Sequence, residues 1–324
     1  MKKILIAKLT SLGDILFVMP MISDIQYHFP DAQIDWLVDA QFAELPAMHP
    51  AINRVIAVPL RGYRRKSTRQ NWQGIRSAIQ QLRREHYDVI LDCHGMIKSA
   101  LFSQVAKAKL IIGPPDYRLG ENAARWAYHR QVVPDANLPA VAWYRSYAAL
   151  ALNYSIESEI NFGLQADECL PAWMPANRPF VMCFHAASKA EKTWPVAQWL
   201  EVLQPLEQQG VMAILPWGTE GEYAVAQQIR AGLTLAMVPP KLTIAQIASL
   251  IRHADWSIGC GYRHDAFGRK HGPRHDCAVY ANRFGQLSPG VEYPSLCFGW
   301  ARGGSRSEAS VRYNGYCCLS IIFK

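Results

Sequence analysis

Lys3-Ile4-Leu5-Ile6-Ala7-Lys8-Leu9-Thr10-Ser11-Leu12-Gly13-Asp14 joins a short apolar run to a polar turn. Apolar residues then recur at helical spacing over residues 15–29, with Pro20 inside the pattern and Pro30 ending it. This is a strand–turn–helix opening, and the rest of the chain repeats it. QIDWLV (33–38) reads as a second strand, 41–45 as a helical turn before Pro46, and 54–58 as a third strand. Residues 70–85 have helical spacing with a charged face, and YDVILD (87–92) is a nearly continuous apolar strand of the kind buried on both faces of a parallel sheet. A strand at 109–113 and a helix at 141–152 complete a doubly wound α/β pattern.

Between 153 and 179 the pattern turns irregular, with Pro171, Pro175 and Pro179 close together, as in a linker. A second series follows: strand 180–184, helix 195–208, strand 211–215, helices 220–231 and 244–253, strand 256–259. The predicted organisation is α/β with two Rossmann-like doubly wound domains facing a cleft: 1–155, a linker 156–179, a partial second domain 180–259, and a dissimilar tail 260–324. A length of 324 residues suits two domains, since single cores stop growing near ~250–300 residues.

Composition narrows the function. Half of the residues are hydrophobic and 19% charged, so sizeable cores can form. The apolar run after Met1-Lys2-Lys3 is too short for a signal peptide, and no stretch reaches the roughly 18 apolar residues of a membrane span, which predicts a cytoplasmic protein. Of the net charge of +8, the segment from Gly259 onward holds nine Lys and Arg against four Asp and Glu, or +5, so basicity is mostly a tail property and argues against nucleic acid as partner. Five of the eight cysteines also fall there: Cys260, Cys277, Cys297, Cys317 and Cys318.

Five segments carry chemistry. At the first strand end, Lys8 with Ser11, Gly13 and Asp14 places backbone N–H groups and a carboxylate where open α/β sheets bind ligands; Asp14 is either a general base or a helix cap. The absence of G-x-G-x-x-G argues against a dinucleotide dehydrogenase. After the third strand, Arg61, Arg64 and Arg65 form a loop suited to an acidic ligand, or simply a solvated one. At the next strand end, DCHGMIKS (92–99) offers His94 and Lys98 to an anionic group; Cys93 has no ligand partners for a metal. The second series opens with HAASKAEKTW (185–194), in which Ser188 and Lys192 suit a diphosphate. Last comes Leu215-Pro216-Trp217-Gly218-Thr219-Glu220-Gly221-Glu222, where Glu222 could accept ribose hydroxyls, although Glu early in a helix is ordinary.

Taken together and in this order, these segments resemble the ADP-heptose:lipopolysaccharide heptosyltransferase family, from Met1 to about Gly259. The resemblance implies a GT-B fold and an inverting, metal-independent glycosyltransferase without a cofactor. It would move L-glycero-D-manno-heptose from ADP-heptose to a Kdo residue of the lipid A inner core, peripherally on the cytoplasmic face of the inner membrane. By position it makes Asp14 the catalytic base. Lys8, Ser11, Gly13, Arg61, Arg64, Arg65, His94, Lys98 and Arg118 become acceptor-binding, and Ser188, Lys192, Trp217, Gly218 and Glu222 donor-binding. Ala187 stands where relatives often carry a second hydroxyl, and Arg118 stands near the place of an arginine missing at Gly120-Glu121.

After Gly259 the family's D-T-G-x-x-H segment is replaced by Cys260-Gly261-Tyr262-Arg263-His264-Asp265. Back-translating Gly259 to Phe267 and reading one nucleotide later permits G-V-D-T-G-M-T-H-L, which points to a reading-frame shift in the gene or its record. A catalytically silent remnant that binds ADP or lipid A core is the alternative reading.

Overall fold

The computed structural model describes residues 2–60, 68–114, 121–167, 169–175, 178–186, 193–260, 277–281 and 296–298. The chain divides into two compact units, Met1–Gln165 and Ala166–Lys324.

In the first unit, β1 (Lys3–Ala7), β2 (Gln33–Asp39), β3 (Ile52–Val58), β4 (His86–Asp92), β5 (Lys107–Gly113) and β6 (Arg130–Gln131) form a parallel sheet in the order β3-β2-β1-β4-β5-β6. The order reverses between β1 and β4. Ile4, Leu5, Ile6 and Ala7 are all fully buried, which is why β1 reads as an unbroken apolar run: helices cover both faces of a parallel sheet. Burial of each large side chain contributes about 1.5–3 kcal/mol.

Helix α1 (Leu12–His28) starts three residues earlier than its apolar spacing indicates, because Ser11 ends the strand turn and Asp14 closes back on it. Gly13 and Asp14 therefore lie in the first helical turn rather than before it. Helix α2 (Glu44–Ala47) is a single turn, and α3 (Arg69–Arg84) begins at Thr68, whose side chain accepts from the Asn71 amide. Helix α4 (Ile97–Val105) follows β4, and a 3-10 turn at Asn122–Ala127 precedes β6. Helix α5 (Ala140–Leu152) packs on α1, and a buried bidentate pair joins them: Arg145 Nε to Asp24 Oδ2 at 2.7 Å and Arg145 Nη2 to Asp24 Oδ1 at 2.9 Å. Ser158 Oγ donates to the same carboxylate at 2.6 Å, and Gln165 N donates to the Met48 carbonyl.

Residues 156–165 thus fasten to the first unit. Ala166 and Cys169 supply carbonyls to Arg252 and Ser249 of the second, so the unit changes between 165 and 166.

In the second unit, β7 (Phe180–Phe184), β8 (Met212–Ile214), β9 (Ala236–Met237), β10 (Trp256–Cys260), β11 (Cys277–Ala281) and β12 (Leu296–Phe298) take the order β12-β11-β10-β7-β8-β9. Strands β10, β7, β8 and β9 are mutually parallel, but β11 runs antiparallel to β10. The helices are α6 (Val196–Gln208), α7 (Glu220–Ala231) and α8 (Ile244–His253). Trp199, fully buried on α6, anchors the core between that helix, α7 and the sheet. Among the described residues no helix is long and apolar enough to cross a membrane.

Candidate active site

Open α/β sheets bind ligands at the carboxyl edge where strand order reverses. In the first unit that edge lies between β1 and β4, and it holds a dense group of polar side chains. Lys8, the residue after β1, is only 4% exposed. Its backbone is pinned on both sides: its N–H donates to the Leu37 carbonyl, and its own carbonyl accepts from Trp36 Nε1 at 3.1 Å. Its ammonium donates to Tyr144 Oη at 2.7 Å and to the Cys93 carbonyl at 3.1 Å. Burial works against that charge, but the Tyr144 and Asp14 oxygens outweigh it, and the Lys8 pKa is raised above its ordinary value.

Asp14 occupies the first turn of α1, half-buried. Its Oδ2 accepts from the Ser11 amide at 2.9 Å and from Ser11 Oγ at 2.7 Å. Oδ1 has no hydrogen-bond partner among the described residues. The carboxylate therefore caps the helix with one oxygen and leaves the other free, so the cap and base readings do not exclude each other.

Asp92 ends β4, fully buried, and organises the loop behind it. Oδ1 accepts from the His94 and Gly95 amides, both at 2.9 Å; Oδ2 accepts from Ser99 Oγ at 2.9 Å and Tyr128 Oη at 3.0 Å. Gly95 takes φ +69°, a left-handed turn that favours glycine. Its carbonyl accepts from the Glu121 amide at 2.7 Å, while Glu121 Oε2 accepts from the Ile97 amide at 2.9 Å. The loop is thus held from both ends.

It delivers His94 to the site edge 5% exposed, with neither ring nitrogen hydrogen-bonded among the described residues. Burial first, then the charges of Lys8 and Lys98, push its pKa down to about 3 against a small opposing effect of the Thr10 backbone. His94 is neutral at pH 7, so it meets an anionic ligand as an N–H donor rather than as a cation.

In the second unit, β7 runs into His185, whose Nε2 lies 3.0 Å from the Glu222 carbonyl and ties the strand end to α7. Glu222 Oε2 accepts from the Gly218 amide at 2.7 Å and the Thr219 amide at 3.2 Å, while Thr219 Oγ1 accepts from the Glu222 amide at 3.3 Å. A side chain at position 218 would put its Cβ 3.3 Å from that oxygen, which is why glycine fits there. Trp217 donates from Nε1 to the Pro239 carbonyl at 2.8 Å and packs edge-on against Tyr223, with Lys241 Nζ 6.0 Å from its ring centre.

Residues 75–261 match glycosyltransferase family 9 (heptosyltransferase). The chain belongs to glycosyltransferase family 9. It is 31% identical over 258 residues to lipopolysaccharide heptosyltransferase 1 of Pseudomonas aeruginosa, covering 78% of this chain and 71% of that one. It is 28% identical over 270 residues to lipopolysaccharide heptosyltransferase 1 of Escherichia coli K12, covering 81% and 83%. A solved structure of E. coli heptosyltransferase WaaC with ADP superposes with a TM-score of 0.70 at 26% identity, covering 79% of this chain and 80% of the other. The fold class is therefore the GT-B class expected from the sequence.

Among the predicted site residues of this family 9 member, Lys8, Ser11, Gly13, Asp14, His94 and Lys98 gather at or beside one sheet edge of the first unit. Trp217, Gly218 and Glu222 share one loop and helix start in the second. Arg61, Arg64, Arg65, Arg118, Ser188 and Lys192 lie outside the described residues, as does the segment after Cys260 where the family motif is expected. Among the described residues no group of three His, Cys, Asp or Glu could hold a metal.

Sequence reasoning gave no role to Asp92, Tyr144 or His185. Asp92 and His185 carried a usable signal, a polar side chain at the last or next position of a buried strand. Tyr144 carried none, since it reads as part of a helix face.

Proposed function

We propose that the protein transfers L-glycero-D-manno-heptose from ADP-heptose to a Kdo residue of the lipid A inner core, as a heptosyltransferase I, inverting the anomeric carbon. The observation that carries this is Asp14: a half-buried carboxylate with one oxygen free among the described residues, held by Ser11 at the reversal point of the sheet, in the field of the buried Lys8 ammonium. Asp14 accepts the proton of the acceptor hydroxyl as that oxygen attacks the anomeric carbon and ADP departs. Lys8, Ser11, Gly13, His94, Lys98, Arg61, Arg64, Arg65 and Arg118 hold the acidic acceptor. Ser188 and Lys192 hold the diphosphate, and Glu222 with Trp217 and Gly218 the nucleoside. The protein works peripherally on the cytoplasmic face of the inner membrane, where a lipid-borne acceptor is reached, and needs neither metal nor nucleic acid. The relatives named lipopolysaccharide heptosyltransferase 1 and the ADP-bound WaaC structure support this reading.

The experiment is ADP release from ADP-heptose with a Kdo-lipid A acceptor. Release that Asp14→Ala abolishes upholds the proposal; release unchanged by that substitution overturns it.

Two observations favour the second reading, a silent remnant. The family match ends at residue 261, next to where the sequence leaves the expected motif, and β11 enters antiparallel beside β10. We infer a frame shift near Gly259. Resequencing the locus together with the intact mass of the native protein decides it: a single uninterrupted frame through Lys324 defeats the inference. A full chain that binds ADP yet releases none from ADP-heptose selects the remnant.

A further inference from the structure

Helix α5 brings a residue to the first unit's ligand edge that none of the sequence motifs contains. Tyr144 is 3% exposed, and its oxygen accepts from the Lys8 ammonium at 2.7 Å while its own hydrogen points to the Cys93 carbonyl at 3.4 Å. Since Lys8 also donates to that carbonyl at 3.1 Å, the three polar atoms close a triangle. The ammonium also sits 5.0 Å from the Tyr144 ring centre. Two of its three N–H bonds are thereby committed.

The third has no partner among the described residues, and no carboxylate there lies within ion-pair distance of it. Beside it, both ring nitrogens of His94 are buried, and the Thr10 backbone, which acts weakly on the ring, makes no well-aligned hydrogen bond with either. Buried polar groups in folded proteins are nearly always paired, so a buried cation with a spare N–H next to a buried, unpartnered imidazole marks a place prepared for a ligand.

The charge count identifies the ligand group. The ammonium groups of Lys8 and Lys98 outnumber the facing carboxylate of Asp14 by one charge, and with a neutral donor beside them this matches a single carboxylate, which brings one negative charge and two acceptor oxygens. A hydroxyl would leave that excess charge unmatched, and a phosphate dianion would bring one charge too many.

We propose that Tyr144 is a positioning residue whose hydroxyl fixes the Lys8 ammonium so that its remaining N–H, with a ring nitrogen of His94, receives a carboxylate of the acceptor sugar. This rests on the acid-sugar acceptor of the proposed function and adds to it the residue that sets where the carboxylate sits.

Tyr144→Phe removes the hydroxyl alone. The ring keeps its edge-on contact with Trp143 at 5.3 Å. The helix stays fastened by Tyr147 Oη on the Ile112 carbonyl at 2.8 Å and by the Arg145–Asp24 pair. The test is calorimetric binding to the full chain of two probes, Kdo-lipid A and the same molecule with its Kdo carboxylate converted to a carboxamide. Tyr144→Phe is expected to weaken the carboxylate probe about tenfold, the loss of one charge-assisted hydrogen bond, and to change the carboxamide less than about twofold. Lys8→Met should weaken the carboxylate probe further and still spare the carboxamide. Equal weakening of both probes, no weakening of either, or a wild-type chain that binds both probes equally overturns the proposal. Binding is read without turnover, so a chain that discriminates the probes as expected but releases no ADP strikes only the transfer reading.

Discussion

Helices α1 and α7 begin with the same device in different units. In each, an acidic residue in the first turn folds back onto the residue that starts the helix, Asp14 onto Ser11 and Glu222 onto Thr219 and Gly218. In each, one carboxylate oxygen takes both backbone or hydroxyl donors while the other stays free among the described residues. What separates them is the neighbourhood. Asp14 lies in the field of a buried ammonium, whereas Glu222 is flanked by the Trp217–Tyr223 pair and tied through its carbonyl to His185. A helix cap is local chemistry that any first-turn acid can perform, and a reactive carboxylate needs a surrounding that only the tertiary fold supplies.

The largest effect should come from separating the two functions at Asp14. Asn at this position can still accept from Ser11 through its amide oxygen but cannot take up a proton. Asp14→Asn should therefore lower kcat by roughly 10²–10⁴-fold while the melting temperature moves little. Steady-state ADP release and a thermal melt of the same preparation check it; retained turnover would reduce Asp14 to a cap.

Glu222→Gln sharpens the contrast from the other unit. Gln keeps the capping oxygen and loses the charge, so the KM for ADP-heptose should rise about tenfold with kcat within a fewfold, as for a group that binds rather than reacts. A collapse of kcat comparable to that at Asp14 would erase the distinction between the two helices.

The neighbourhood also predicts a pH dependence. Folded His94 has a pKa near 3 against its ordinary 6.5, so below pH 6.5 the unfolded chain binds more protons and stability declines as the solution is acidified towards pH 3. His49, lowered to about 4 by burial, acts in the same direction. His94→Gln should flatten the dependence by up to about 1.4 kcal/mol per pH unit within that window, read from urea denaturation at several pH values. A slope unchanged in the variant would show that His94 is not held neutral by the fold.

The smallest effect is the cap itself. Thr219→Ala, which removes the acceptor of the Glu222 amide, should cost about 1 kcal/mol in chemical denaturation, and Ser11→Ala less, because the Ser11 hydroxyl donates to Asp14 and caps no backbone amide.

Most of the architecture was legible in the chain. Residues 3–7 and 180–184 are apolar strands and 220–231 and 244–253 well-capped helices, and each has the bounds expected of it. Edges elsewhere differ by one to three residues. Helix α1 is the instructive case: apolar spacing begins at Ile15, yet the Ser11–Asp14 exchange starts the helix at Leu12. The two-residue strands β6 and β9 escaped notice because so short a segment has no periodicity and exists only by pairing with a neighbour. Of the site, the loops at strand ends announced themselves through small and polar residues after apolar runs.

The two α/β series, the strand-end loops and the acidic helix starts can be read from the chain alone, because they follow from apolar spacing and local hydrogen bonding within a few positions. It takes the folded chain to show that Lys8 and Tyr144, 136 positions apart, share one buried hydrogen bond, that Asp92 shapes the loop carrying His94, and that His94 is neutral. The physical reason is that charge state and donor matching depend on burial and on which distant groups meet, and neither leaves a mark on the spacing of residues along the chain.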